Sequence, residues 1–292
     1  MALIDSLIAL YNEAYENREP LCDGYPLLDS PVGVLTIVAV YLMVVWQGPK
    51  LMQHRRPVDL KGIIIVYNIV MVFVSAFICF GGIYAIVCIG GLKVFCEGSN
   101  NTFNFDDEKR RYYYVNLAWL FFISKLVEFL DTVFFIVRKK NNHVSFLHVY
   151  HHTTTALFTW TGLKFFTGGN NIVYGVVNSF IHVVMYTYYA LAAFGPEMTK
   201  YLWWKKYLTR LQISQFMIFI TYGLWNEIYG CPFSKTFVYL TFVHIFIILL
   251  LFINFYVQCY NRAQVKARAK VNGRYLRAEE LSNVGDAVKK LN

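Results

Sequence analysis

Residues 113–137 read YYVNLAWLFFISKLVEFLDTVFFIV, a run long enough, at about 1.5 Å per residue, to cross a hydrocarbon layer about 30 Å thick. Three ionisable side chains, Lys125, Glu128 and Asp131, interrupt it at spacings of three, followed by Thr132, so they fall near one face of a helix. Charges inside an apolar span are costly and turn toward a protein interior, where each is a functional hypothesis by default. The stretch therefore predicts a membrane helix with a working polar face.

Working outward, apolar runs of similar length cover residues 31–48, 62–83, 146–166, 172–194, 207–229 and 236–258. With 113–137 they make about seven transmembrane helices of an all-α polytopic membrane protein. The run from 62 stays apolar past Gly81-Gly82 to Gly91, so a re-entrant or interfacial ending is also open there. Of the 292 residues 57% are hydrophobic and only 15% charged, against roughly 25% charged in a soluble domain, which excludes a soluble globular protein. The expected organisation is a lumenal N-terminal segment at 1–30, a seven-helix membrane domain at 31–260 and a basic cytosolic tail at 261–292. Residues 1–30 carry a single base, Arg18, and no signal-peptide pattern, so the first span is expected to do the targeting.

The net charge of +9 is explained by orientation. Nineteen of the 27 Lys and Arg fall in the loops after spans one, three and five, at Arg210 and in the C-terminal tail, against seven on the other side. The positive-inside rule then puts the C-terminus in the cytosol, and no nucleic-acid partner is needed; anionic lipid or substrate phosphate suits the basic side. Three further marks fit this orientation. Asn100-Asn101-Thr102 is a glycosylation sequon on the expected lumenal side, with Asn100 the acceptor. Cys96 and Cys231 lie in lumenal loops, where they either stay as thiols or form a bridge. Closing a loop of about 135 residues, that bridge would add roughly 4 to 5 kcal/mol. Lys289 and Lys290 resemble a dilysine retrieval signal of endoplasmic-reticulum membrane proteins.

Polar stripes recur in the neighbouring spans. His148, His151 and His152 stand at i, i+3 and i+4; His182, Met185, Tyr186 and Tyr189 follow Asn178; Thr209, Gln212, Gln215 and Phe216 form another stripe. By helix rise, Asp131 lies about 10 Å below Arg138, His151 about 15 Å below Lys140, His182 about 20 Å below Gly195, and Gln212 with Gln215 about 10 Å below Lys206. Four helices thus present polar faces to one layer near the cytosol, with an apolar and aromatic continuation toward the lumen. Three chemistries are open. HxxHH is similar to one histidine box of membrane di-iron desaturases and hydroxylases, but the other boxes are missing, leaving His54, His143 and His244 alone. A seven-span carrier would more often show broken helices at midplane. Neutral imidazole can instead attack an acyl thioester and pass the acyl group on, with no metal.

KLVEFLDT (125–132), HVYHH (148–152), HVVMYTYY (182–189) and TRLQISQF (209–216), with QGPKLMQHRRP (47–57) and KYLWWKKYLT (200–209), together resemble the very long chain fatty acid elongases over roughly residues 31–262. The resemblance implies an endoplasmic-reticulum 3-oxoacyl-CoA synthase that condenses a long-chain acyl-CoA with malonyl-CoA, releasing CO2 and CoA, with no permanently bound cofactor and no metal. It implies six helices around a long acyl tunnel, a Cys96–Cys231 bridge, and a ping-pong sequence in which His151 carries the acyl group. His182 then positions that group or steadies the enolate, with His148, His152, Asn178, Glu128, Asp131, Gln212 and Gln215 orienting the imidazoles and Lys125 balancing the carboxylates. The phosphates of CoA cannot enter hydrocarbon, so they are expected at the cytosolic rim among Arg138, Lys139, Lys140, Lys205, Lys206, Arg262 and Lys266. His143 departs from the family pattern, where glutamine is common, while HVYHH and LWWKK are similar to the branch acting on very long or polyunsaturated chains. Other elongation-cycle enzymes and a homodimer partner are left open.

Overall fold

The computed structural model describes residues 12, 15, 16, 18–89, 108–166, 169–231 and 235–261. Within these the chain is helical, with no strand: α1 Pro31–Leu51, α2 Lys61–Tyr84, α3 Glu108–Val127, α4 Phe129–Val137, α5 Phe146–Phe165, α6 Gly169–Phe194, α7 Lys205–Ile228 and α8 Lys235–Tyr256. Four stretches, Pro31–Leu51, Lys61–Ile89, Asn171–Phe194 and Phe237–Tyr260, are long and apolar enough to cross a membrane. The helices outside that set, α3 with α4, α5 and α7, are those on which the sequence places Lys125, the histidine triplet and Lys205-Lys206.

The expected third span is two helices joined at Glu128. That residue keeps right-handed dihedrals (φ −59°, ψ −18°), and Asp131 N–H donates to its carbonyl at 3.1 Å, so one turn is tightened toward i→i+3 spacing. Beyond Tyr84 the second span continues as a π-helical turn, Ala85–Ile89.

α2 packs along α6 and α7 along α8, while α1 stands outside against α4 and α5. Ser30 caps α1 with Pro31 at its first position, and Ser145 caps α5 by accepting from His148 N–H at 3.2 Å. α4 ends with Lys139 in the left-handed region (φ 57°), its N–H donating to Ile136 and that of Lys140 to Phe135, the paired bonds of a Schellman stop.

Residues 18–30, expected as a lumenal segment, are tied to the ends of α3 and α5. Trp160 Nε1 donates to Leu27 O at 2.8 Å and Trp119 Nε1 to Pro26 O at 3.1 Å. Buried Lys164 meets Asp23 at 2.8 Å, and Arg111 meets Glu19 at 2.9 Å. The Arg18 hydrogen bond, followed by Lys164, holds the Asp23 carboxyl below its ordinary range. Cys22 and Leu28 are fully buried in a cluster with Tyr114, Phe122, Trp160 and Leu163.

Cys231 is disulfide-bonded. Its expected partner Cys96, the sequon at Asn100, and the tail with Arg262, Lys266, Lys289 and Lys290 lie outside the described residues.

Candidate active site

The charges of α3 and α4 meet the stripe of α6. Lys125 Nζ donates to Glu128 Oε1 at 2.7 Å and to Asn178 Oδ1 at 2.8 Å. Glu128 Oε1 lies 3.0 Å from His182 Nδ1, and Lys125 Nζ lies 3.4 Å from the same nitrogen. Asn178 Nδ2 in turn donates to Gln215 Oε1 of α7 at 3.3 Å. Lys125, Glu128, Asn178, His182 and Gln215 are all buried, Glu128 to 1% exposure, so a helix-spacing pair has become a network across α3, α6 and α7. Removing one partner would strand a charge where hydration cannot compensate it.

The histidine triplet forms the opposite side. His152 stands between its neighbours, 4.3 Å from the His148 ring centroid and 5.5 Å from that of His151. His148 Nε2 is 2.7 Å from Thr132 Oγ1, which also meets Tyr41 Oη at 3.2 Å. His148 is thus anchored by α1 and α4. Asp131 does not reach an imidazole in the way expected of it; its Oδ2 accepts from Tyr186 at 2.9 Å. Gln212 stands apart as well, its amide 3.6 Å from the Met185 sulfur.

His151 faces a cavity of about 200 Å³. At its polar end His151, Asn178 and Gln215 share the wall; the far end is bounded by Leu163, Asn171 and Phe237. Six helices, α2, α3, α5, α6, α7 and α8, contribute to that wall, in keeping with the expected arrangement. A second void of about 60 Å³ adjoins it and shares Asn171, Tyr174, Phe237, Thr241 and Ile245. A mostly apolar cavity with His151, Asn178 and Gln215 on its wall suits a ligand with a reactive head and a hydrocarbon tail.

The basic residues gather at the helix ends near the triplet. Lys139 Nζ donates to Gln53 O at 3.0 Å, tying the loop after α1 to the end of α4. His143, in the short 3-10 turn Asn141–His143, stacks on Phe135 with centroids 5.0 Å apart. Burial, then the charges of Lys205 and Lys140, hold its pKa below the ordinary imidazole value, so the loops before α5 and α7 approach one another there.

Tyr41 and Tyr67 escaped the sequence reading. Tyr67 packs edge-on against Tyr186, and each tyrosine stands singly on an apolar helix with no polar neighbour in its stripe to draw notice.

The pattern of the family described as "ELO: GNS1/SUR4 family" matches residues 26–268. The chain belongs to the GNS1/SUR4 family. This GNS1/SUR4 member is 39% identical over 257 residues to "Very long chain fatty acid elongase 4" of Homo sapiens, covering 88% of this chain and 80% of the relative. It is 38% identical over 245 residues to "Very long chain fatty acid elongase 5" of Xenopus tropicalis, covering 84% and 81%. A third relative, elongase 5 of Rattus norvegicus, is 35% identical over 263 residues, covering 90% and 86%.

Proposed function

We propose that the protein is a very-long-chain 3-oxoacyl-CoA synthase that elongates fatty acyl chains through an acyl-imidazole on His151. The observation that carries the mechanism is His151 on the wall of an apolar cavity, beside Asn178 and Gln215, which link through Lys125 and Glu128 to His182. Family membership and relatives named as elongases over most of the chain support the overall reaction.

In the first half-reaction a His151 nitrogen attacks the acyl-CoA carbonyl. The carbon–sulfur bond breaks, the acyl group stays on the ring, and CoA leaves with the displaced proton. Malonyl-CoA then loses CO2, and the electron pair of the broken carbon–carbon bond becomes an enolate. Its carbon attacks the acyl-imidazole, the carbon–nitrogen bond breaks to give 3-oxoacyl-CoA, and the departing ring nitrogen takes up one proton from solvent, restoring His151. His182, held by Glu128, stabilises the enolate oxygen, an electrostatic contribution that a water-poor chamber strengthens. His148 and His152 set the ring of His151 by packing, Asp131 acts through Tyr186, and Lys125 neutralises Glu128.

The acyl tail lies along the cavity, away from the basic rim. Arg138, Lys139, Lys140, Lys205 and Lys206, with Arg262 and Lys266 of the tail, hold the phosphates of CoA. The setting is the endoplasmic-reticulum membrane with seven spans, N-terminus and Asn100 lumenal, a Cys96–Cys231 bridge, and a cytosolic C-terminus with its dilysine signal. The bilayer is the one macromolecular surface this reading requires; other elongation-cycle enzymes and a second copy are further partners it accommodates.

The test is elongation of an acyl-CoA panel with radiolabelled malonyl-CoA by His151→Ala. Loss of at least about a hundredfold is expected of a removed nucleophile. Product formation near the wild-type rate would exclude the covalent route.

A further inference from the structure

α1 stands outside the cavity: among the described residues, none of Pro31–Leu51 lines it. One of its residues nevertheless reaches the histidine triplet. Tyr41 is 4% exposed, and its Oη lies 3.2 Å from Thr132 Oγ1, which lies 2.7 Å from His148 Nε2. The ring of Tyr41 also lies on Phe129, centroids 4.2 Å apart and planes 18° from parallel, and Phe129 meets His152 edge to face at 6.4 Å. The hydroxyl and the ring of one residue thus bear, through α4, on two of the three histidines.

The direction of the hydrogen bonds follows from counting hydrogens. Thr132 is fully buried and has one hydroxyl hydrogen for two contacts, so it donates in one and accepts in the other. If it donated to Tyr41, the Tyr41 hydrogen would have no acceptor among the described residues, a costly outcome for a buried hydroxyl. If Tyr41 donates to Thr132 and Thr132 to His148, both hydroxyl hydrogens are used. His148 then presents Nε2 as an acceptor and, as a neutral ring, carries its hydrogen on Nδ1.

We infer that Tyr41 is a positioning residue for the acyl-transfer step: its hydroxyl, acting through Thr132, fixes the ring plane and tautomer of His148, against which His152 and then His151 are set. The inference rests on the proposal above that His151 carries the acyl group. The rings of His148 and His152 are 4.3 Å apart and those of His152 and His151 5.5 Å, so a turn of the first ring disturbs the close packing of the next. A nucleophile must hold its lone pair in line with the carbonyl, and a small misplacement costs rate rather than affinity. Tyr41 is not on the wall that takes the tail, so binding is left alone.

The experiment follows single-turnover acylation of full-length protein in lipid nanodiscs by quenched-flow intact mass, over a series of acyl-CoA concentrations and without malonyl-CoA. Tyr41→Phe keeps the stack on Phe129 and removes only the hydroxyl. It should lower the limiting acylation rate about five- to tenfold, the size of one net hydrogen bond, with the half-saturating concentration unchanged. Thr132→Val should slow the step by a similar factor, and Thr132→Ser, which keeps the hydroxyl, should recover most of it. The Tyr41→Phe, Thr132→Val pair should be no slower than the slower single variant, because both act through one chain. Where the buried valine prevents folding, Tyr41→Phe against the parent decides alone. Losses that multiply, or a half-saturating concentration that moves with the rate, would mark a loosened fold and overturn the inference. The parent separates the two levels. No adduct on the parent overturns the reading of His151 and the inference with it, whereas an adduct on His151 that forms just as fast in Tyr41→Phe overturns the positioning role alone.

Discussion

Lys125 and Glu128 are the residues on which the polar layer turns. At 3% and 1% exposure, neither charge has water to fall back on, and Glu128 serves Lys125 and His182 at once. Lys125→Met and Glu128→Gln should each destabilise the protein by about 3 to 5 kcal/mol, and the double variant by clearly less than their sum, because a stranded charge costs more than an absent pair. Thermal unfolding in detergent measures this cycle, and strict additivity would contradict it. A second residue-scale expectation concerns His143. Its pKa is depressed by burial, Lys205 and Lys140, so the fold favours its neutral form. That contribution is complete above the unfolded value of about 6.5 and is lost as pH falls from there through the depressed folded value. His143→Gln should show a shallower fall of melting temperature between about pH 7 and pH 5 than the parent; equal slopes would contradict it. The i, i+3 pairing of Lys125 with Glu128 was legible because helix geometry alone makes it. The Tyr41–Thr132–His148 chain was not, since partners 91 and 16 residues apart are chosen by packing.

Among the elements, α5 matters most because it carries the triplet from its first turn. Ser145 Oγ accepts from the backbone N–H of His148 itself, so the cap and the histidines share one turn. Ser145→Ala should cost about 1 kcal/mol and lower turnover by loosening the first histidine; unchanged stability and turnover would show that the turn is held by packing instead. Helix positions followed well from runs of apolar residues. The break at Glu128 did not, because a single tightened turn leaves apolar periodicity intact. The packing of residues 18–30 was also hidden: Trp119 and Trp160 read as apolar bulk, and nothing in their spacing reveals that their indole N–H groups reach Pro26 and Leu27.

At the scale of the whole molecule the cavity unites six helices, and its length should govern which acyl chains fit. Gly175 lines it, and a Cβ built there meets nothing within 4 Å. Gly175→Leu should therefore extend into the cavity without a clash, raise helix propensity by somewhat under 1 kcal/mol, and shift products to shorter chains. An unchanged product profile would mean that the tail takes another path. The polar layering could be read from residue types, because burial acts on every copy of a residue alike. The most direct measurement is the intact mass of the protein after incubation with acyl-CoA and no malonyl-CoA. The parent should gain the mass of one acyl group with release of one CoA and His151→Ala should gain none; an unmodified parent, or an equal adduct on His151→Ala, would contradict acyl transfer through His151.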